Sequence, residues 1–155
     1  MIQRIQSLYL SLITLLSLLF LKVDILTFAE KSDSVIKLTF SGIIRETGIQ
    51  TLEHLTKVLP LSVFTILIPI ISLVTIFVFK KRKIQMWLVK TLIILIIAFI
   101  ATSVFYSYMI IKGYGASIIP GLKIIIPVLI LILALLALRG IKKDDILVKS
   151  YDRLR

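Results

Sequence analysis

The 155-residue chain has no cysteine, one histidine, one tryptophan and only eight acidic residues. Without cysteine there are no disulfides, no thiolate metal sites and no thiol redox chemistry. Charged residues are scarce as well, at 17%. Four long stretches hold no Asp, Glu or His at all. A proton-coupled carrier would need a carboxylate in the membrane, a membrane haem protein axial histidines, and a metal-dependent lipid transferase an aspartate cluster. None of these patterns is present. The single histidine, His54, stands among polar residues outside the apolar runs and reads as a solvated surface residue.

What is abundant is apolar. Hydrophobic residues make up 59% of the chain and mean hydropathy is +1.07. A small soluble core does not absorb this much apolar surface, whereas lipid accepts it. The first apolar run extends from about Ile5 to Leu21. The expected spans are about residues 5–23, 58–79, 86–111 and 118–138. At ~1.5 Å rise per residue, about 20 residues cross a ~30 Å hydrocarbon layer. The last three runs suffice, and Lys22 can snorkel to extend the first. The predicted fold class is therefore all-α membrane: a four-transmembrane-helix bundle forming a single membrane domain.

The 19 basic residues give a net charge of +11, and they are unevenly placed. Arg4 precedes the first run, and Lys80, Lys81, Arg82 and Lys83 follow the second. Arg139, Lys142, Lys143, Lys149, Arg153 and Arg155 follow the fourth. Five of the eight acids (Asp24, Glu30, Asp33, Glu46 and Glu53) fall between the first two runs. The bias of Lys and Arg sets topology and predicts cytoplasmic termini. A cleaved signal peptide is the alternative for the first run, but Lys22, Asp24 and Ile25 lie before the small residue Ala29.

The outer segment 24–57 carries two strand-like stretches, Ile25–Phe28 and Val35–Phe40, around the turn composition Glu30-Lys31-Ser32-Asp33-Ser34. They predict a β-hairpin. Ile49, Leu52 and Leu55 recur at helical spacing and predict a short amphipathic helix beyond Gly48. Within the spans, Ser7, Ser11 and Thr14 share a face. Ser62, Thr65 and Ser72, then Thr91, Ala98 and Thr102, then Ala134 and Ala137 form comparable small-residue stripes, which suit close helix packing. Pro69 and Pro127 predict kinks in the second and fourth spans. Gly113, Gly115, Pro120 and Gly121 mark the turn before the fourth. In the tail, residues 139–155, Asp144 is expected to cap a short interfacial helix with Leu147, Tyr151 and Leu154 on one face. Asp144, Asp145 and Asp152 are expected to face the 80–83 loop.

Three segments resemble one family of small bacterial integral membrane proteins of unknown function. They are the start Met1-Ile2-Gln3-Arg4-Ile5-Gln6, the junction Phe79-Lys80-Lys81-Arg82-Lys83-Ile84-Gln85, and the close at Arg139, Gly140, Ile141, Asp144, Leu147, Val148, Ser150, Asp152, Arg153, Leu154 and Arg155. The resemblance covers the whole chain. It implies four helices and residence in the bacterial inner membrane, and it supplies no catalytic residues.

The expected function is a non-enzymatic accessory or scaffold protein of that membrane, with no cofactor and no metal. Its contact residues for anionic lipid or a membrane-protein partner are Lys80, Lys81, Arg82, Lys83, Gln85, Arg139, Asp144, Asp152, Arg153 and Arg155. Nucleic acid is not an expected partner, because no aromatic platform accompanies the charge. The alternatives are a small channel or transporter using the two proline kinks and, behind that, a membrane enzyme.

Overall fold

The computed structural model describes residues 3–30, 34–47, 51–79 and 81–153. It contains helices α1 (Gln3–Leu19), α2 (Leu59–Phe77), α3 (Arg82–Tyr114) and α4 (Ile125–Arg153). The strands are β1 (Leu26–Ala29), β2 (Val35–Leu38), β3 (Ile43–Thr47), β4 (Thr51–Thr56) and β5 (Ser117–Ile118). A single 3₁₀ turn, Leu122–Ile124, leads into α4. Three helices are long and apolar enough to cross a membrane: α2, α3 and the Ile125–Ile146 part of α4. The apolar part of α1, Ile5–Leu19, is shorter. Its reach is extended by tightened turns in which Phe20, Leu21 and Lys22 donate to the carbonyls three residues back.

The helices pack in a ring in chain order: α1 on α2, α2 on α3, α3 on α4 and α4 on α1. The reason is legible in which residues are buried. On α1 they include Gln6, Leu10, Ile13, Ser17 and Phe20. On α2 they include Leu61, Thr65, Ile68, Ser72 and Thr75. On α3 they include Gln85, Val89, Leu92, Ile96, Phe99 and Ser103. On α4 they include Ile130, Ala134, Ala137, Ile141 and Asp144. Every helix repeats the same alternation of four and three residues. That seven-residue period keeps one stripe of each helix facing its neighbours, as in bundles packed knobs-into-holes.

The stripes are rich in small and hydroxylated residues, while large apolar side chains such as Leu15, Phe77, Ile94 and Val104 face outward. In lipid the outward face is at no disadvantage, and small residues let backbones approach. The hydroxyls are satisfied inside: Thr65 Oγ1, Ser103 Oγ and Ser107 Oγ donate to the carbonyl four residues back. Ser72 Oγ donates to the Leu10 carbonyl at 2.9 Å and accepts from Thr14 Oγ1 at 3.1 Å, stitching α1 to α2. Thr14 thus belongs to the packed stripe. Ser11 does not share that face: it is exposed and bonds the Leu8 carbonyl.

The expected cap is larger than a hairpin. All five strands join one antiparallel sheet in the order β4-β3-β2-β1-β5. The predicted pairing of β1 with β2 is present, with Phe28 opposite Ile36 and both fully buried against the bundle. The predicted short helix is absent. Leu52 and Leu55 lie in β4, paired to β3 with Glu46 opposite Leu52, and Ile49 lies outside the described residues. A helix of a few residues satisfies few of its backbone groups, whereas a strand laid along β3 gains a full ladder.

Two further expectations at the fourth run are corrected. Residues 117–124 form β5 and the 3₁₀ turn, so the helix begins at Ile125 rather than near Ile118. Pro127 then sits in the first turn of α4, where backbone N–H groups have no intrahelical acceptor, and no kink is required of it. Gly115 ends α3 with φ 61°, a left-handed conformation that favours glycine, and its N–H closes on the Ile111 carbonyl at 3.0 Å.

Charge pairs fasten the sheet to the helices. Arg45 Nε donates to Glu30 Oε2 at 3.0 Å, and Arg45 Nη2 pairs with Glu30 Oε1. The same guanidinium lies 5.5 Å from the ring centroid of Tyr114, at the end of α3. Lys123 pairs with Asp24 at 3.1 Å, joining the approach to α4 to the chain leaving α1.

On the sheet, Lys37 pairs diagonally with Glu46. The hydrogen bond that Lys37 donates to the Glu46 carboxylate raises the Lys37 pKa above its ordinary 10.5. A raised lysine pKa means the pair's contribution is complete below the ordinary value and is lost as pH climbs through the folded-state value. An NMR titration of the Lys37 side chain is expected to show a midpoint above 10.5, and Glu46→Gln is expected to bring it back down.

Candidate functional site

The four stripes end together. The last inward-facing position of each helix at the end opposite the sheet is polar: Gln6 on α1, Thr75 on α2, Gln85 on α3 and Asp144 on α4. All are buried, with Asp144 only 7% exposed. They form a polar layer at that end of the bundle.

The hydrogen bonds run between helices. Gln6 Nε2 donates to Asp144 Oδ2, tying α1 to α4 across 138 residues of sequence. Arg82 Nη1 donates to the backbone carbonyl of Asp144 at 3.0 Å, tying α3 to α4. Gln85 Nε2 reaches the Thr75 carbonyl at 3.4 Å, tying α3 to α2. That carbonyl lies in the last turn of α2, where no intrahelical donor remains, so Gln85 caps the helix it faces. Asp144 Oδ1 accepts no hydrogen bond from a described residue. The space enclosed by Gln6, Ser7, Phe79, Arg82, Gln85, Ile141 and Asp144 is about 10 Å³, far below the ~300 Å³ of the smallest usual ligand pockets. The layer is a fastening and not a pocket.

Gly140 makes the fastening possible. A Cβ built there would stand 3.0 Å from Gln6 Cγ, tighter than ordinary carbon contact. Glycine lets α1 and α4 approach closely enough for the Gln6 amide to reach Asp144 one turn further on.

Two expectations about the tail are therefore corrected. Asp144 caps no separate helix; α4 runs unbroken from Ile125 to Arg153, and Asp144 lies in its interior. Its carboxylate bonds Gln6, an uncharged residue, while its backbone carbonyl is what meets the 80–83 segment. The inward stripe passes straight through Arg139-Gly140-Ile141-Lys142-Lys143, which explains why the helix does not stop at that charge run.

Of the residues expected to form the contact face, Arg82, Gln85 and Asp144 come together in the buried layer. Lys81, Lys83 and Arg139 stand exposed around it, with Lys142 and Lys143 beside them. Asp152 and Arg153 lie in the last turn of α4; their side chains, together with Lys80 and Arg155, lie outside the described residues. Gln6, Thr75 and Gly140 are the members that sequence reasoning left off the site. The available signal was a primary amide inside an apolar run, at the start of the same four-and-three repeat that contains Leu10, Ile13 and Ser17.

The start of α3 is electrostatically bare. Lys81 precedes it without a capping side-chain bond, and its first turn has no acid. Helix N-termini favour negative charge, and this one carries Lys81, Arg82 and Lys83 instead.

At the other extreme, the bundle centre offers no conduit through one chain. The gap lined by Ser17, Phe20, Thr65, Ile68, Ile96, Phe99, Pro127 and Ile130 is about 10 Å³.

Asp144→Ala is expected to lower stability by about 1–3 kcal/mol, because it strands the buried Gln6 donor. Asp144→Asn, which keeps an acceptor for Gln6, is expected to cost less than half of that. Gly140→Val, which drives carbon into Gln6, is expected to cost about 1–3 kcal/mol by overpacking. Thermal unfolding of the purified protein in one mild detergent would rank the three.

No curated protein and no solved structure matches the chain. A family model does, over residues 2–154, and it takes in all three segments that converge on the polar layer. The chain belongs to the family described as a domain of unknown function, DUF4293.

Proposed function

We propose that this chain is a four-span protein of the bacterial inner membrane with both termini in the cytoplasm. In this reading it acts as a non-enzymatic accessory subunit whose basic end docks on acidic groups, either anionic lipid headgroups or an acidic partner subunit. The observation that carries the reading is the exposed set Lys81, Lys83, Arg139, Lys142 and Lys143. These cations surround the uncapped start of α3 and are held in place by the polar layer beneath them.

Several features support the membrane placement. On α3 the exposed Trp87 and Tyr108 are 67% and 61% accessible. They are separated by 21 residues of continuous helix, a rise of about 32 Å. Aromatic residues favour both membrane interfaces, and the hydrocarbon layer between is ~30 Å thick. α1 packs beside α2 and α4, which favours a fourth span over a helix lying on the surface. The positive end then faces the cytoplasm, where each cation near an anionic leaflet adds ~1 kcal/mol of attraction. The narrow bundle centre argues against the channel reading for a single copy.

The absence of cysteine permits a clean test of topology. Single cysteines at Lys81 and at Ser41 are expected to react with an impermeant maleimide from opposite sides of the membrane; labelling from one side would remove the four-span reading. Docking is tested by neutralising Lys81, Lys83, Lys142 and Lys143 to Gln, which spares Asp144. Mild-detergent purification with mass spectrometry of bound lipid and protein is expected to show severalfold loss of acidic partners. Unchanged co-purification would contradict the proposal. Truncation at Arg139 is unsuitable, because it would remove Gly140 and Asp144 and unfasten the bundle.

A further inference from the structure

The sheet end carries a groove of about 670 Å³ between the start of β3 and the last turns of α3. It is lined by Ile43, Lys57, Phe105, Tyr106, Met109, Ile110, Gly113 and Tyr114. Its size is in the ~300–1,000 Å³ range of ligand pockets. It is open along one side and has a lengthwise gradient of polarity. Phe105 and Met109 are 59% and 51% exposed, and they stand three residues before and one residue after Tyr108, the interface residue of α3. Tyr114 stands six residues beyond Tyr108 on α3, and Lys57 stands between the end of β4 and the start of α2, at the sheet end of that helix.

We infer that this groove is a binding site for one anionic phospholipid of the leaflet on the sheet side. Its phosphate lies at Lys57 and one acyl chain runs down over Phe105 and Met109. An apolar floor at acyl-chain depth leads without a step to a cation at headgroup depth. A soluble ligand would leave the Phe105 and Met109 end unfilled. A protein strand or helix has no anion to set at Lys57 except an acidic side chain at one fixed register. Among the described residues Lys57 takes part in no ion pair. Arg45, which also approaches Tyr114, is already engaged by Glu30. Tyr106 and Tyr114 add phenolic hydroxyls, which donate hydrogen bonds to phosphate oxygens.

This site rests on the membrane placement proposed above but not on the basic face, which lies at the opposite end of the molecule. The test uses nanodiscs of phosphatidylcholine containing a few per cent of chain-brominated phosphatidylglycerol or chain-brominated phosphatidylcholine. The only tryptophan is Trp87, so Trp87→Phe with Met109→Trp places one fluorophore in the groove. Brominated phosphatidylglycerol is expected to quench it about fivefold more effectively than brominated phosphatidylcholine, the ratio one cation near phosphate provides. Lys57→Gln is expected to abolish the preference. Lys112→Gln is expected to leave it intact, because Lys112 is exposed at the same depth but lies over Tyr108 and outside the groove. Neutralising the loop-end lysines is likewise expected to leave it intact. Equal quenching by the two lipids, or equal effects of the Lys57 and Lys112 changes, would overturn the site. Native mass spectrometry of the chain with Met109 unaltered is a second measurement. Retention of phosphatidylglycerol that is lost in Lys57→Gln but kept in Lys112→Gln would support the site, and retention unaffected by Lys57→Gln would overturn it.

Discussion

A polar group buried among helices in lipid must find its partner within the protein, because no water is at hand to supply one. In this chain that constraint acts most strongly where the four inward stripes end. Gln6, Thr75, Gln85 and Asp144 come from four different helices and from both ends of the sequence. The Gln6 amide requires an acceptor on α4, the Thr75 carbonyl requires a donor from α3, and Arg82 joins α3 to the backbone of α4. Apolar residues in the same places would pack in many registers, since lipid tails are as apolar as leucine and provide no hydrophobic drive between helices. Polar pairs with directional bonds accept few registers. Gly140 completes the arrangement by removing the side chain that would keep α1 and α4 apart.

The opposite end is organised by different physics. The sheet stands above the helices, where backbone groups need a ladder and charged residues can remain partly wet. Its fastenings are salt bridges and a cation–aromatic contact, and its core is the short apolar face of Phe28, Ile36, Leu38 and Ile43. β5 comes from the turn between α3 and α4 and pairs with β1, which follows α1. The sheet thereby ties the two halves of the chain at this end, as Gln6 and Asp144 do at the other. A bundle clamped at both ends with a tight centre behaves as a rigid platform. That quality suits a protein that presents charge on one end and an interfacial groove near the other.

Much of this was legible in the sequence because membrane helices announce themselves through length and composition. The apolar runs gave the three long helices, and the first strand pair followed from β-branched residues around a turn. The remainder depended on contacts distant in the chain. Leu52 and Leu55 with Ile49 have helical spacing, and only the presence of β3 alongside turns that segment into a strand. β5 is two residues long, and its partner β1 lies far earlier in the chain, with Ile118 opposite Phe28. The charge run from Arg139 to Asp145 looked like the end of a helix, yet Ala134, Ala137, Ile141 and Asp144 continue one inward stripe straight through it. Lys81 and Lys83 stand exposed, whereas Gln85 and Asp144, grouped with them by charge and motif, face inward.

The family segments and the structure meet in one place: the start, the junction and the close of the chain all contribute to the polar layer. The account stands on that layer acting as a coupled unit, and the most direct measurement is a double-mutant cycle between Gln6→Ala and Asp144→Ala, followed by reversible unfolding in mixed micelles. Each single change should destabilise, and the double change should cost less than their sum by about 1 kcal/mol, since either one alone already breaks the shared bond. Strict additivity would mean that Gln6 and Asp144 do not act on one another, and the fastening of α1 to α4 would have to be sought elsewhere.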